Sequence, residues 1–184
     1  MLIKIGGRPD HGFDEPLGLL SDCHRRIERF LDTLVLTTTA AAGEALTERQ
    51  RADIDAALTY FANAAPTHTQ DEEQSLFPRL RASNDPAAAE ALATMERLER
   101  DHDAADEQHR AADALLRRWM ADGRLDPSSL AALRQRLAAL QAIYGAHIAI
   151  EDRELFPTAG RVLSREEIAA VGREMAERRS ARTP

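Results

Sequence analysis

At 184 residues the chain is long enough for one domain with a sizeable core and short for two. Its composition is rich in alanine, leucine, arginine and glutamate, with only 4% aromatic residues and no alternating Val/Ile/Thr-rich runs, and this favours an all-α protein. The net charge of -7, with no basic stripe before the last few residues, argues against a nucleic-acid backbone as the main partner.

No run approaches the roughly 18 apolar residues that a membrane helix requires, so no membrane partner is expected. The opening MLIKIGGRPDHG lacks the apolar core of a signal peptide, which makes the expected location cytoplasmic. The single cysteine, Cys23, can form neither an internal disulfide nor a thiolate cluster, so any metal site must use nitrogen and oxygen ligands.

Residues 1–15 read as a lead-in, with strand character only in Met1 to Ile5. A first long helix is predicted from Glu15-Pro16, with proline in its first turn, to Ala42-Gly43. A second opens at Thr47, where Thr47 and Gln50 make a capping-box pattern, and ends before SNDP at Ser83 to Pro86. Asp85-Pro86 opens a third, which Asp122-Gly123 stops, and Asp126-Pro127 opens a fourth in the same way. Ser164 and Glu167 repeat the capping box for a short additional C-terminal helix to about Arg178, and RRSARTP reads as a frayed tail.

Short connections between long helices predict an up-down-up-down antiparallel four-helix bundle over residues 16–157, with residues 158–184 as the C-terminal helix and tail. The apolar seams agree. In the fourth helix Leu133, Leu137, Leu140, Tyr144, His147 and Glu151 follow one another at gaps of four and three; in the second, Ile54, Leu58, Phe61, Ala65, His68 and Glu72 do the same. Each stripe ends in a histidine and then a glutamate. The first and third helices place His24 and His102 among inward-facing apolar residues.

These positions belong to an internal repeat. HTQDEEQSLFP at His68 to Pro78 matches HIAIEDRELFP at His147 to Pro157 with an offset of 79, and Leu20 and His24 recur at Leu98 and His102 with an offset of 78. Distances from the hairpin loops put His24 and His68 level to within about 3 Å at 1.5 Å rise per residue, and His102 and His147 almost as closely. Four histidines, one from each helix, therefore share a layer, with Glu72 and Glu151 together one turn away. Two carboxylates side by side in a dry core repel, and each unpaired buried charge costs several kcal/mol. A multivalent cation resolves the conflict: four imidazole nitrogens and two bridging carboxylates suit a pair of iron or manganese ions with open positions for a small ligand. A single tetrahedral zinc leaves the set over-supplied.

From Pro16 to Pro157 the sequence resembles the hemerythrin-like, or HHE cation-binding, proteins: a first-helix histidine, HxxxE followed by LFP, a third-helix histidine, then HxxxE again. The resemblance implies a non-haem di-iron centre, with Mn or Zn as possible substitutes, held by His24, His68, Glu72, His102, His147 and Glu151 and bridged by the two glutamates. It also implies a small diatomic ligand or peroxide as partner, since members bind oxygen, sense oxygen or iron, or handle nitric oxide and peroxide stress. Oxygen-carrying members use a second histidine one turn on in the third helix and end the fourth with HxxxxD. Here those features are Asp106 and HxxxE, which look more like the sensing and stress-response branch. Members that repair iron-sulfur centres usually carry an extra cysteine-containing N-terminal domain, which this sequence does not show.

The expected function is binding of O2, NO or peroxide for sensing, storage or stress protection. Two alternatives are a di-iron enzyme (peroxidase or catalase-like, NO-reducing, or iron-sulfur repair) and an interaction module with a degenerate site. Among the remaining residues, His109 lies two turns from His102, about 10.5 Å, too far for a ligand; it is expected to pack or to line an access path. Asp106 is expected at the surface or behind the ligands, Cys23 as a packed thiol, Glu73 and Glu154 as solvated charges, and His11 as a surface residue or flap. Pro78 and Pro157 are expected to kink or stop their helices.

Overall fold

A computed structural model describes residues 10–181, all of whose regular structure is helical. The strand character of Met1 to Ile5 and the last residues of the tail lie outside the described residues. Helix α1 spans Pro16–Ala41, α2 Glu48–Asp71, α3 Phe77–Ala82, α4 Pro86–Asp122, α5 Pro127–Ile150, α6 Phe156–Val162 and α7 Arg165–Ser180.

The caps are those the sequence announces. Thr47 and Ser164 make reciprocal capping boxes with Gln50 and Glu167, and Asp85 and Asp126 accept hydrogen bonds from Ala87 N and Ser129 N. At the other helix ends Gly43 and Gly123 adopt positive φ, 84° and 77°, as glycine does without strain. The two turns are also tied together, since Leu125 N donates to Gly43 O at 2.9 Å and the buried Trp119 indole donates to Glu44 O at 2.9 Å.

One departure from expectation matters for function. Pro78 and Pro157 do not end their helices; each sits in the first turn of a following helix, α3 or α6, where a missing N–H is tolerated. Between α2 and α3, and again between α5 and α6, the chain widens into a π turn, Glu72–Leu76 and Glu151–Leu155. Such turns recur at functional sites. The two begin at the two glutamates of the repeat.

Helix α1 packs on α2 and α5, and α4 packs on α5 and α2, so the four long helices close into a ring. The apolar core is in two parts. One contains Phe30, Leu34, Ile54, Leu116, Trp119, Leu133 and Leu137; the other contains Leu20, Leu76, Phe77, Met95, Leu98, Leu155, Phe156, Val171 and Met175. Along each of the four long helices, taken with the π turns and short helices that follow α2 and α5, the histidine of the repeat falls between residues of the first part and residues of the second. A polar layer thus separates two apolar ones.

Helix α7 belongs to this core: it packs on α1, α2 and the first π turn, with Val171 and Met175 fully buried. Arg178 and Arg179, assigned to a frayed tail by sequence, instead clamp the buried Asp71 at 2.6 and 2.7 Å, and Arg178 also donates to Ser75 Oγ at 2.5 Å. Arg79 and Glu174 add a bidentate pair beside them. The backbone of Phe13 lies so close to Gly172 that no Cβ fits there. Replacing both arginines, Arg178→Ala with Arg179→Ala, leaves the Asp71 carboxylate buried without a partner and is expected to lower stability by about 3 kcal/mol. Urea unfolding of the double variant beside wild type measures this.

Candidate metal centre

All six residues singled out by the repeat meet in the polar layer, and five of them, His24, His68, Glu72, His147 and Glu151, are buried. His102 is nearly so, with 10% of its side chain exposed. Their ligand atoms form two groups, each with all atoms within 4.8 Å of one another: His24, His68, Glu72 and Glu151, and Glu72, His102, His147 and Glu151. Both glutamates belong to both groups. The Nε2 atoms face the carboxylates, His24 at 3.0 Å and His147 at 3.0 Å from Glu151 Oε2, His68 at 3.2 Å from Glu72 Oε1 and His102 at 3.4 Å from Glu72 Oε2.

The reverse side of two histidines is held by acids. His102 Nδ1 donates to Glu73 Oε1 at 2.7 Å, and His24 Nδ1 donates to Asp152 Oδ1 at 3.0 Å, which also accepts from Ser21 Oγ at 2.7 Å. With the proton on Nδ1, a neutral ring would turn a lone pair on Nε2 towards carboxylate oxygens that are themselves acceptors, and only a second proton or a cation relieves that contact. All four carboxylate oxygens of Glu72 and Glu151, and Nε2 of His24, are buried without a hydrogen bond of acceptable geometry. Buried polar atoms are almost always satisfied, so a cation fits this donor set on its own terms.

The charges respond accordingly. Burial disfavours ionised Glu72, yet the histidines around it outweigh burial and hold its carboxyl well below the ordinary range. Burial likewise opposes a charge on His102, but the carboxylates of Glu72 and Glu73 facing its two nitrogens win and push it up to about 10. His24 is raised well above its usual value against burial by Asp152, Glu151 and Glu72. His68, whose Nδ1 has no hydrogen-bond partner, is kept neutral by burial, which lowers it to about 4. His68 apart, the shifts run towards positive charge, from protons or a metal, beside the two glutamates.

Between the four histidines lies a cavity of about 20 Å³, closed by Ile27, Ala65, Thr69, Tyr144 and Ile148. That is space on the scale of one water-sized molecule. Phe156, from the second LFP segment, stacks on His24 with ring centroids 5.4 Å apart and an interplanar angle of 12°. A second, larger pocket of about 280 Å³ opens beside α2 and α4, floored by Leu34, Leu58, Phe61 and Leu116 and rimmed by Asp106, Arg110 and Asp113. Pro66, inside α2, and Ala62, whose carbonyl lacks the helical partner that a proline N–H cannot supply, both line it.

Several expectations need correction. Glu73 is no solvated charge, since it holds His102; its counterpart in the repeat is Asp152, which holds His24. The signal was present, because an acid follows the glutamate in both copies (DEE and IED). His11 is anchored: its backbone N–H donates to the buried Asp22 at 2.8 Å and its ring lies 3.3 Å from the same carboxylate. Cys23 is a buried free thiol outside both donor groups, pushed up by burial. Glu154 and Asp106 are exposed, as expected. His109 lines the larger pocket, packs on Phe61 at 4.2 Å between centroids and pairs with Tyr144 Oη at 2.9 Å.

Two sets of nitrogen and carboxylate donors that share both carboxylates define a helical protein whose core could hold a cation. The chain belongs to the hemerythrin HHE cation-binding family, whose domain, described as "Hemerythrin HHE cation binding domain", matches residues 15–159. It is also similar to an uncharacterized protein of Haemophilus influenzae, 27% identical over 167 residues that cover 91% of each chain. No helix among the described residues is long and apolar enough to cross a membrane.

Burial lowers His109 from 6.5 to about 4, so it is neutral in the folded protein, whereas the unfolded chain takes up a proton below about 6.5. Folding stability therefore falls as pH drops through that window and levels off below it. Relative to His109→Gln, wild type is expected to lose about 2 kcal/mol between pH 7 and pH 4.5, measured by denaturant titration of both at each pH.

Proposed function

We propose that His24, His68, Glu72, His102, His147 and Glu151 hold two adjacent metal ions, iron in the first place with manganese or zinc as substitutes, bridged by Glu72 and Glu151. In this reading residues 16–157 form an up-down-up-down antiparallel bundle around the centre, and the protein works in the cytoplasm. Its ligand is a small diatomic molecule or peroxide, bound for sensing, storage or stress protection. The observation that carries the reading is the pair of donor groups sharing two buried glutamates whose four oxygens have no other partner. Family membership supports cation binding as the class of function.

Bound iron supplies reversible redox chemistry and open positions for a small ligand. The chain's own work is positional. Asp152 and Glu73 fix the Nδ1–H tautomers of His24 and His102 and aim Nε2 inward, as partners behind a metal-binding histidine do. Each π turn begins at its glutamate, whose backbone N–H still bonds to the carbonyl of the histidine one turn before it. Leu76, Phe77, Leu155 and Phe156 seal one side of the layer against water.

Metal analysis of protein purified without chelators, with visible spectra of reduced protein before and after air, tests the reading. About two irons per chain and a new ligand-to-iron charge-transfer band are expected, with iron content cut at least in half in His147→Ala. Unchanged iron in that variant sinks the assignment. Glu73→Gln and Asp152→Asn are expected to keep the fold and to weaken metal affinity by about 10- to 100-fold, read by competition with a chelator.

A further inference from the structure

Apart from the histidines, the small cavity at the centre presents two polar side chains, Tyr144 from α5 and Thr69 from α2, among Ile27, Ala65 and Ile148. Tyr144 is set apart by its support. His109 Nε2 lies 2.9 Å from its hydroxyl, and the His109 ring is itself wedged against Phe61 at 4.2 Å. With its proton on Nε2, neutral His109 donates to the phenol oxygen and leaves the hydroxyl hydrogen free for another acceptor; with its proton on Nδ1 it accepts that hydrogen instead. Tyr144 lines the small cavity and His109 lines the larger pocket, so the pair joins the two spaces. His109 is half-buried, and the side-chain hydrogen bond it makes is the one to that phenol.

We propose that Tyr144 recognises the exogenous ligand: its hydroxyl, oriented by His109, donates a hydrogen bond into the cavity to a small ligand with a lone-pair or negatively charged terminal atom. Azide, nitric oxide and peroxide belong to this class. Tyr144 is thereby a specificity-determining residue and His109 a positioning residue that acts through it. The inference rests on the metal reading above, because the ligand is to be held between the metal side of the cavity and the phenol. It adds the donor that discriminates a polar-ended ligand from an inert apolar molecule of the same size, which makes no hydrogen bond.

The test uses the iron-loaded full-length chain and azide, titrated by its visible charge-transfer band, in wild type, Tyr144→Phe, His109→Phe and Thr69→Val. Losing one hydrogen bond to an anion is expected to weaken azide about 10- to 100-fold in Tyr144→Phe, with a smaller loss in His109→Phe, no comparable loss in Thr69→Val and iron content unchanged throughout. The azide infrared stretch provides a readout that packing alone does not move: it is expected to shift between H2O and D2O in wild type and not in Tyr144→Phe. Equal azide affinity in wild type and Tyr144→Phe, with iron bound in both, overturns the role of Tyr144 alone. A chain that takes up no iron overturns this inference and the metal reading together.

Discussion

Two carboxylates, Glu72 and Glu151, stand in the middle of a helical core with none of their oxygens satisfied by a hydrogen bond. Everything around them answers that constraint. Four imidazoles converge from four helices, two acids brace the far sides of two of the rings, and apolar clusters close the layer from both ends. Desolvating such a pair without compensating charge costs more than a domain's usual margin of stability can absorb. The arrangement is intelligible as one made for a cation, and a helix bundle suits it because each long helix contributes its histidine at a chosen height without disturbing its own backbone.

The fold was largely legible because its determinants are local. Thr47 with Gln50, Ser164 with Glu167, the Asp-Pro openings and Gly43 and Gly123 are each readable without knowledge of any neighbour. The six residues of the site were legible for a different reason: the repeat shows them twice. What escaped notice depends on contacts across the bundle. Glu73 reads as a surface acid until α4 brings His102 to it, and Arg178 reads as tail until Asp71 is seen buried beneath it. The π turns were missed because proline marks both a stop and a first turn, and the sequence alone does not choose between these.

The pairing of braces follows the repeat in an instructive way. The acid after Glu72 supports a histidine of the second half, His102, while the acid after Glu151 supports one of the first, His24. Each half of the chain thus sets the tautomer of a ring in the other. Neither helical hairpin holds a complete site, so assembly of the centre and docking of the two halves are a single event.

The clamp made by α7 breaks this near-symmetry. Asp71 lies one residue before the first π turn, and the position that corresponds to it in the second copy is Ile150, which cannot receive a guanidinium. The first turn is therefore pinned by guanidinium hydrogen bonds from a separate helix, while the second has only Asp152, tied to Ser21 and His24 of α1, beside its apolar packing. Amide hydrogen exchange should then proceed by smaller, cheaper openings around Glu151 than around Glu72. Because both donor groups draw on both glutamates, a loosening at Glu151 would be felt by the two groups alike.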